Sequence, residues 1–191
     1  MLAEYLDIVD DNGVPTGQTV ERTYAHAHGV QHRTAHVWIV RRNAQTQRVE
    51  ILLQKRSPNK DSHPGCWDIS SAGHIPAGED YIPSALRELQ EELGVSIDAQ
   101  SLQLCGQRRF GYDGQFHGQP FHDRQVTNVY LLWLNRPAEA FVPQLEEISE
   151  VRWFDFAQCI AAVRTDAIPH CIYLEELELV FRCAARTSLM F

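Results

Sequence analysis

The chain has 191 residues, and its 17 basic and 25 acidic side chains give a formal net charge of −8 at pH 7. This length suits one domain with a single core. The acidic balance argues against a broad contact with a nucleic acid polymer or an anionic membrane. No apolar run approaches the roughly 20 residues that span a bilayer. The acidic N-terminal segment also lacks the basic and then apolar order of a signal peptide.

The five cysteines are scattered and include no C-x-x-C pair. An odd set without paired spacing is typical of reduced thiols rather than of a disulfide framework or a structural zinc site. With the features above, it predicts a cytoplasmic protein.

The predicted strands share β-branched or aromatic residues and are bounded by turn residues. They cover segments 4–9, 16–22, 35–41, 49–55, 67–72, 102–110, 126–134 and 150–154. The Asn12-Gly13 turn signal between the first two predicts an N-terminal β-hairpin extension over about 1–34. The histidine-rich segment after it, 57–65 and the glycine-rich segment 111–118 are predicted as connections without regular structure. Within the last of these, Phe110–Gln119 is predicted as a mobile substrate loop.

Three segments carry apolar residues at helical spacing. The clearest follows Asp80, the predicted N-cap, has Pro83 in its first turn and ends at Gly94. Its predicted apolar positions are Ile82, Ala85 or Leu86, Leu89 and Leu93. Helices are also predicted over 156–163 and about 174–186, the second with an apolar face of Leu174, Leu177, Phe181 and Ala184 or Ala185. Strands interleaved with helices in this order predict one α/β domain over 1–191, a sandwich around a mixed sheet.

The clearest helix carries three carboxylates on one face, because Glu88, Glu91 and Glu92 are spaced i, i+3 and i+4. Like charges at this spacing repel each other, and the C-terminal half of a helix disfavours anions. Arg87 can neutralise only part of this charge, so a divalent, oxygen-seeking ion such as Mg²⁺ would complete the site. For an isolated acidic triplet, a solvated face is the alternative explanation.

The surroundings of the triplet decide between these readings. Seven fixed identities at roughly 7% usage each occur by chance on the order of 10⁻⁸ per starting position. The pattern is Gly73-x5-Glu79-x7-Arg87-Glu88-Leu89-x-Glu91-Glu92-x-Gly94-Val95, in which the glycines, glutamates and arginine are the seven fixed identities. It resembles the Nudix box, and the chain is therefore similar to the Nudix hydrolase superfamily. That resemblance implies an α/β/α sandwich with the box as loop–helix–loop, and water attack on a diphosphate.

The resemblance also implies roles for the residues of the box. Glu91 and Glu92 correspond to the principal Mg²⁺ ligands, for which Mn²⁺ is a possible substitute, and the Gly73 carbonyl faces the metal. Glu88 corresponds to a further ligand or to the general base. Arg87 orients the carboxylates, and Glu79 helps to hold the loop.

The likeness extends over about residues 4–186 to a subgroup that includes type I isopentenyl-diphosphate isomerase and its hydrolase-like relatives. In that subgroup, the residues that match Arg56 and Lys60 contact the substrate diphosphate, which suits a guanidinium fork and an ammonium group. Without the resemblance, ordinary strand-end and loop charge explains these two residues equally well.

Hydrolysis is favoured over isomerisation. The isomerase needs a cysteine and a glutamate where this chain has Ala72 and Gln125, and neither of these can move a proton to or from carbon. His26, His32 and His74 match a metal site of the isomerase. The substitution by Gln125 favours hydrogen-bonding histidines over a second metal. The resemblance also offers Glu146, Glu147 or Glu150 as a further metal-binding carboxylate. A solvated acidic turn is the alternative, and both stay open.

The sequence therefore predicts a Mg²⁺-dependent pyrophosphohydrolase that acts on a small diphosphate compound. The organic part of the substrate and the oligomeric state stay open. The alternatives are the isomerase activity and a non-catalytic nucleotide-binding module.

Overall fold

The structure is a computed structural model that describes residues 3–60, 62–116 and 118–187. Its strands are β1 (Tyr5–Val9), β2 (Pro15–Glu21), β3 (His32–Arg42), β4 (Val49–Arg56), β5 (Trp67–Asp68), β6 (Ser71–His74), β7 (Leu102–Phe116), β8 (Gln119–Trp133) and β9 (Ile148–Asp155). Its α-helices are α1 (Arg22–His28), α2 (Tyr81–Leu93), α3 (Phe156–Arg164) and α4 (Leu174–Thr187). Single 3₁₀ turns cover Ala99–Ser101 and Ala138–Ala140. The ends of the predicted domain, 1–2 and 188–191, lie outside the described residues.

The main sheet has seven strands, and its central pair, β3 and β8, is parallel. The remaining order is β5-β4-β3-β8-β7, with β9 beside β4 and β6 beside β3. β6 pairs with the first half of β3, at Thr34–Val37, whereas β4 pairs only with its last residues, at Val40–Arg42. The sheet therefore divides beside β3, and β6 has an edge that faces away from β3.

Helices cover both faces of the sheet. On one face, α2 packs on Ala35, Val37 and Ile39 of β3. On the other face, α3 and α4 pack on Trp38 and Val40. The alternation along β3 sends successive side chains to opposite faces, so the predicted α/β/α sandwich around a mixed sheet is confirmed.

The N-terminal hairpin is present as β1 and β2, but the histidine-rich segment after it is not an irregular connection. It contains the short helix α1, which ends at Gly29 with a left-handed φ of 65°. Burial of Ala25 with Leu6 and Val20 supplies the packing that the sequence pattern did not show.

The prediction of a loop over 111–118 is wrong for its described residues. β7 runs to Phe116 and β8 starts at Gln119, so the segment is the end of a long hairpin. Alternate side chains of β7 in this region are partly buried and exposed. This alternation has the two-residue period of a β-strand, which the segment keeps although glycine weakens strands.

Three smaller predictions also need correction. Segment 67–72 forms two short strands rather than one. Ile82 is 38% exposed and Phe181 is 40% exposed, so neither lies on the buried face of its helix. The buried face of α4 consists of Glu176, Leu177, Val180, Cys183 and Ala184. Glu176 thus occupies a position where the helical period predicts an apolar residue. Within the described residues, no helix is long and apolar enough to cross a membrane.

Candidate active site

Helix α2 holds the acidic triplet in place through its buried face and its end. Leu89 and Leu93 are fully buried against the sheet, which fixes the rotation of the helix. Gly94 ends it in the left-handed conformation, and the Val95 N–H donates to the Leu89 carbonyl at 3.0 Å. This is the geometry of a Schellman cap, which glycine adopts without a steric cost.

Glu88 lies directly on the backbone of Gly73 in β6. A Cβ atom at position 73 would be 2.3 Å from the Cγ and Cδ atoms of Glu88, which is closer than such atoms approach. Burial raises the pKa of Glu88, and Glu91 adds to this effect while Arg87 opposes it. The absence of a side chain at Gly73 therefore lets this carboxylate reach the strand.

Glu92 is the most buried of the three carboxylates. Its side chain accepts a hydrogen bond from the Ala72 N–H at 3.3 Å, on the edge of β6 that faces away from β3. No basic side chain contacts it within the described part of the chain. Burial raises its pKa to about 8, because an ionised carboxylate without a cation is costly in such a place.

Arg87 gathers the other carboxylates of the motif. Its Nη1 lies 2.9 Å from Glu88 and 3.1 Å from Glu91, and its Nε lies 4.0 Å from Glu79. Glu79 also accepts a hydrogen bond from the Ser84 hydroxyl at 2.9 Å. The structure thus brings together the predicted residues of the motif and, among the residues it describes, leaves Glu92 without a positive partner. This donor set of carboxylate oxygens fits a hard divalent ion such as Mg²⁺.

The loop before α2 is fixed to the N-terminal hairpin by a buried ion pair. Arg33 Nη2 donates to Asp7 at 2.8 Å and to the Glu79 carbonyl at 2.7 Å. The same Asp7 oxygen accepts from the Gly78 N–H at 2.9 Å. Asp7 and Arg33 were not among the predicted site residues, since neither has a spacing that indicates a role.

The two predicted diphosphate-binding residues are both paired with protein carboxylates. Arg56 Nη1 donates to Asp68 at 2.9 Å, and its other nitrogens donate to Ser62. Lys60 forms an ion pair with Glu147. Of the other acidic candidates, Glu150 pairs with Arg152 at 2.9 Å and Glu146 is exposed.

The three histidines that the sequence left open meet at one point. His26 comes from α1, His32 from the start of β3 and His74 from the end of β6, and one ligand nitrogen of each lies within 4.8 Å of the others. His26 and His74 Nε2 atoms are 3.3 Å apart. Because His32 Nδ1 donates to the Val30 carbonyl at 2.9 Å, its Nε2 faces the cluster as a free lone pair.

A carboxylate completes the histidine cluster, and it is Asp123 of β8 rather than position 125. Asp123 Oδ1 lies 3.7 Å from His26 Nε2 and 3.6 Å from His32 Nε2. Both Asp123 Oδ1 and His32 Nε2 are buried without a hydrogen-bond partner among the described residues. Gln125 donates to the other Asp123 oxygen at 2.7 Å. Only His32 makes the predicted kind of strand-end hydrogen bond.

Burial keeps the histidines of this cluster neutral. It lowers the pKa of His26 to about 3 and that of His74 well below its usual value, and it lowers the pKa of His32 as well. Neutral imidazole nitrogens and an acidic oxygen are ligands that zinc and similar ions bind. The cluster therefore fits a second divalent ion.

The face of the sheet that packs against α4 carries a buried polar network that no sequence pattern predicts. Glu176 of α4 accepts hydrogen bonds from Trp38 Nε1 at 2.8 Å and from His36 Nδ1 at 2.9 Å, and Arg108 binds its second oxygen. These residues lie on three separate elements, and His36 and Glu176 are 140 positions apart. The one available signal is Glu176 itself, a charged residue at a helix position that faces the core. That position is recognised as buried only once the packing of α4 is known.

Aromatic side chains line the inner face of the β7–β8 hairpin. Phe116 and Phe121 have ring centroids 4.7 Å apart, and Phe121 stacks on His26 at 4.7 Å. His63, from the loop before β5, lies 6.0 Å from Phe116. The hairpin thus connects the loop that carries Lys60 with the histidine cluster.

The chain is similar to several known proteins. The profile of the NUDIX domain matches residues 32–171. Nudix hydrolase 3 of Arabidopsis thaliana is 40% identical over 163 residues, which cover 83% of this chain but only 20% of that protein. An isopentenyl-diphosphate Delta-isomerase of Ruegeria pomeroyi is 30% identical over 156 residues, or 82% of this chain and 78% of that protein.

A solved structure of a Deinococcus radiodurans protein has the same fold, with a TM-score of 0.70 at 22% identity over 94% of this chain and 99% of that chain. The matched profile contains the whole acidic motif and the strands that hold it. This chain therefore belongs to the Nudix family.

Proposed function

We propose that the protein is a Mg²⁺-dependent pyrophosphohydrolase that cleaves the diphosphate bond of a nucleoside-diphosphate-linked or other small diphosphate compound. Mn²⁺ is the expected substitute ion. The observation that carries this proposal is the buried Glu92 carboxylate, which has no positive partner among the described residues and lies beside Glu88 and Gly73. A protein that needed only a stable helix would have no use for a buried, uncompensated charge here.

In this proposal the Gly73 carbonyl, Glu88, Glu91 and Glu92 hold the metal. A bound divalent ion neutralises charge on phosphate oxygens and acidifies a water molecule. Arg87 keeps Glu88 and Glu91 in position through its two short contacts. Glu88 is proposed as a further ligand or as the general base that accepts the proton of the attacking water. Arg56 and Lys60 are proposed to contact the diphosphate after exchanging their present carboxylate partners.

Two further features support the substrate class and the reaction. The aromatic face of Tyr112, Phe116 and Phe121 supplies stacking surface for the organic part of a nucleotide. On the isomerase alternative, Ala72 has no titratable group, and the Gln125 amide is held by Asp123 and Thr34. A proton transfer at carbon has no acid–base pair at these two positions.

The test is a product screen with Mg²⁺ against nucleoside diphosphate derivatives, nucleoside triphosphates and isopentenyl diphosphate, with Glu92→Gln beside the native protein. We expect the native protein to hydrolyse a diphosphate compound, and we expect the rate to fall at least about a hundredfold in Glu92→Gln. Absence of turnover for every compound would indicate a binding module, and an isomerised product of unchanged mass would indicate the isomerase.

The histidine cluster is proposed to bind a second divalent ion, supported by the unpaired His32 Nε2 and Asp123 Oδ1 atoms. Titration with Co²⁺ checks this without an activity assay. Visible absorption bands of four-coordinate Co²⁺ should appear in the native protein and be absent from His32→Asn. Bands that persist in the variant would place the ion elsewhere.

A further inference from the structure

His36 has one committed nitrogen and one available nitrogen. Its Nδ1 donates to Glu176 at 2.9 Å, which leaves Nε2 as the outward end of the ring. No hydrogen bond to Nε2 occurs within the described ranges, and Nε2 is not among their buried, unpartnered atoms. The His36 side chain keeps 17% of its surface exposed. The ring therefore directs Nε2 toward an accessible space, and this atom carries a hydrogen when both ring nitrogens are protonated.

The carboxylate that holds His36 is unusually well fixed. Glu176 is 2% exposed and accepts from Trp38 and His36 on one oxygen and from Arg108 on the other. Although burial opposes ionisation, these partners lower the pKa of Glu176 to about 2. In return, Glu176 raises the pKa of His36 in spite of the burial of the ring. Glu176 thereby fixes the orientation of the ring and favours the form of His36 in which both nitrogens carry a proton.

His36 also lies beside the proposed metal ligands. It pairs across the ladder with Ala72 of β6, and the Ala72 N–H donates to Glu92 at 3.3 Å. One strand spacing, about 4.8 Å, thus separates the backbone of His36 from that of the residue that touches Glu92.

We propose that His36, oriented by Glu176, donates from Nε2 to a phosphate oxygen of the substrate and so binds the diphosphate from the face of the sheet opposite α2. The proposal rests on the proposed function and identifies a further substrate-binding residue for it. The metal ligands would hold the diphosphate from one side of β6, and His36 would hold it from the other. The ion pair with Arg108 and the hydrogen bond from His36 explain why the fold tolerates a buried carboxylate in α4.

Two substitutions separate binding by Nε2 from the structural contact to Glu176. In His36→Asn, the side-chain amide can replace the Nδ1 contact but has no atom at the Nε2 position. In His36→Gln, the amide reaches toward the Nε2 position. His28→Gln, on the outer side of α1 where His28 stacks on Tyr24, is the matched control.

The experiment measures binding of methylenediphosphonate, a diphosphate analogue that cannot be hydrolysed, by calorimetry in the presence of Mg²⁺. We expect Kd to rise about ten- to a hundredfold in His36→Asn, as for loss of a charge-assisted hydrogen bond. His36→Gln should recover part of that loss, and His28→Gln should match the native protein. Thermal denaturation establishes that each variant is folded; if neither variant folds, the Nε2 resonance of native His36 must shift when the analogue is added.

Equal Kd values for the native protein and both variants, no binding by the native protein, or an unmoved resonance would overturn the proposal. Failure of the proposed function gives a different result. If no diphosphate is turned over but the Kd still depends on His36, the anion site stands and the hydrolase does not. If turnover occurs and the Kd does not depend on His36, the proposed hydrolase function holds and the proposed role of His36 fails.

Discussion

The carboxylate-bearing side chain of Glu88 occupies the space where a side chain of Gly73 would begin. A Cβ atom at position 73 would lie 2.3 Å from Glu88 Cγ and Cδ and 2.4 Å from Oε1. Strand β6 and helix α2 therefore fit closely together at Gly73 and Glu88, which are both proposed metal ligands.

Gly73→Ala is expected to lower kcat/KM about a hundredfold, because the new methyl group must displace the Glu88 carboxylate by an ångström or more. Gly111→Ala in β7 is the matched control, since a Cβ there meets only the flexible Arg124 side chain at 3.5 Å. Steady-state kinetics on the best compound of the product screen checks both. Equal kcat/KM values for the two variants would contradict the role given to the Gly73–Glu88 contact.

Glu92→Gln is expected to stabilise the metal-free protein while removing its response to Mg²⁺. The raised pKa of about 8 means that ionised Glu92 destabilises the fold as the pH rises above about 4.5. At pH 8 the glutamine variant should gain on the order of 2 kcal/mol in unfolding free energy in EDTA. Mg²⁺ should raise the melting temperature of the native protein but not that of the variant. A variant less stable than the native protein in EDTA would show that the carboxylate has a partner.

Asp7→Asn tests whether the N-terminal hairpin supports the active-site loop. It leaves Arg33, which is 4% exposed, with only the exposed carboxylate of Asp80 at 3.9 Å, and this should cost about 3 kcal/mol of unfolding free energy. Glu4→Gln removes the exposed pair with Arg22 and should change stability by less than about 1 kcal/mol. Urea unfolding measures both, and similar values for the two variants would contradict a structural role for Asp7.

The Glu176 network predicts a specific loss of stability in acid. Its pKa of about 2 lies below the ordinary value of 4.5, so its contribution is complete above pH 4.5 and is lost as the pH falls toward 2. Between pH 5 and pH 3 this group should remove on the order of 2 kcal/mol of unfolding free energy. Glu176→Gln should be less stable at pH 7 and lack this part of the acid dependence. Glu178 of the same helix, whose side chain is 38% exposed and pairs with Arg164 outside this network, supplies the control variant Glu178→Gln, which should keep the native slope.

The sequence by itself determined the acidic motif and most of the sandwich. Glu88, Glu91 and Glu92 share a turn of one helix, so their proximity follows from helical spacing alone. Strand alternation and the helix ends are equally local. Asp80 lies at the N-cap position, although its side chain makes no capping hydrogen bond there, and Gly94 caps the other end. Such features depend on residues a few positions apart, which a periodic pattern can report.

The tertiary structure decided everything that depends on strand register. His26 and His74 meet across 48 positions, Asp7 and Arg33 across 26, and His36 and Glu176 across 140. No local pattern encodes these distances, because they follow from which strands pair and where. The β7–β8 hairpin shows the same limit, since its glycines locally favour a loop and only the pairing of Tyr112 with Asp123 and its neighbours keeps them extended. The sequence could therefore identify the proposed metal helix, whereas the histidine cluster and the Glu176 network exist only once the sheet has assembled.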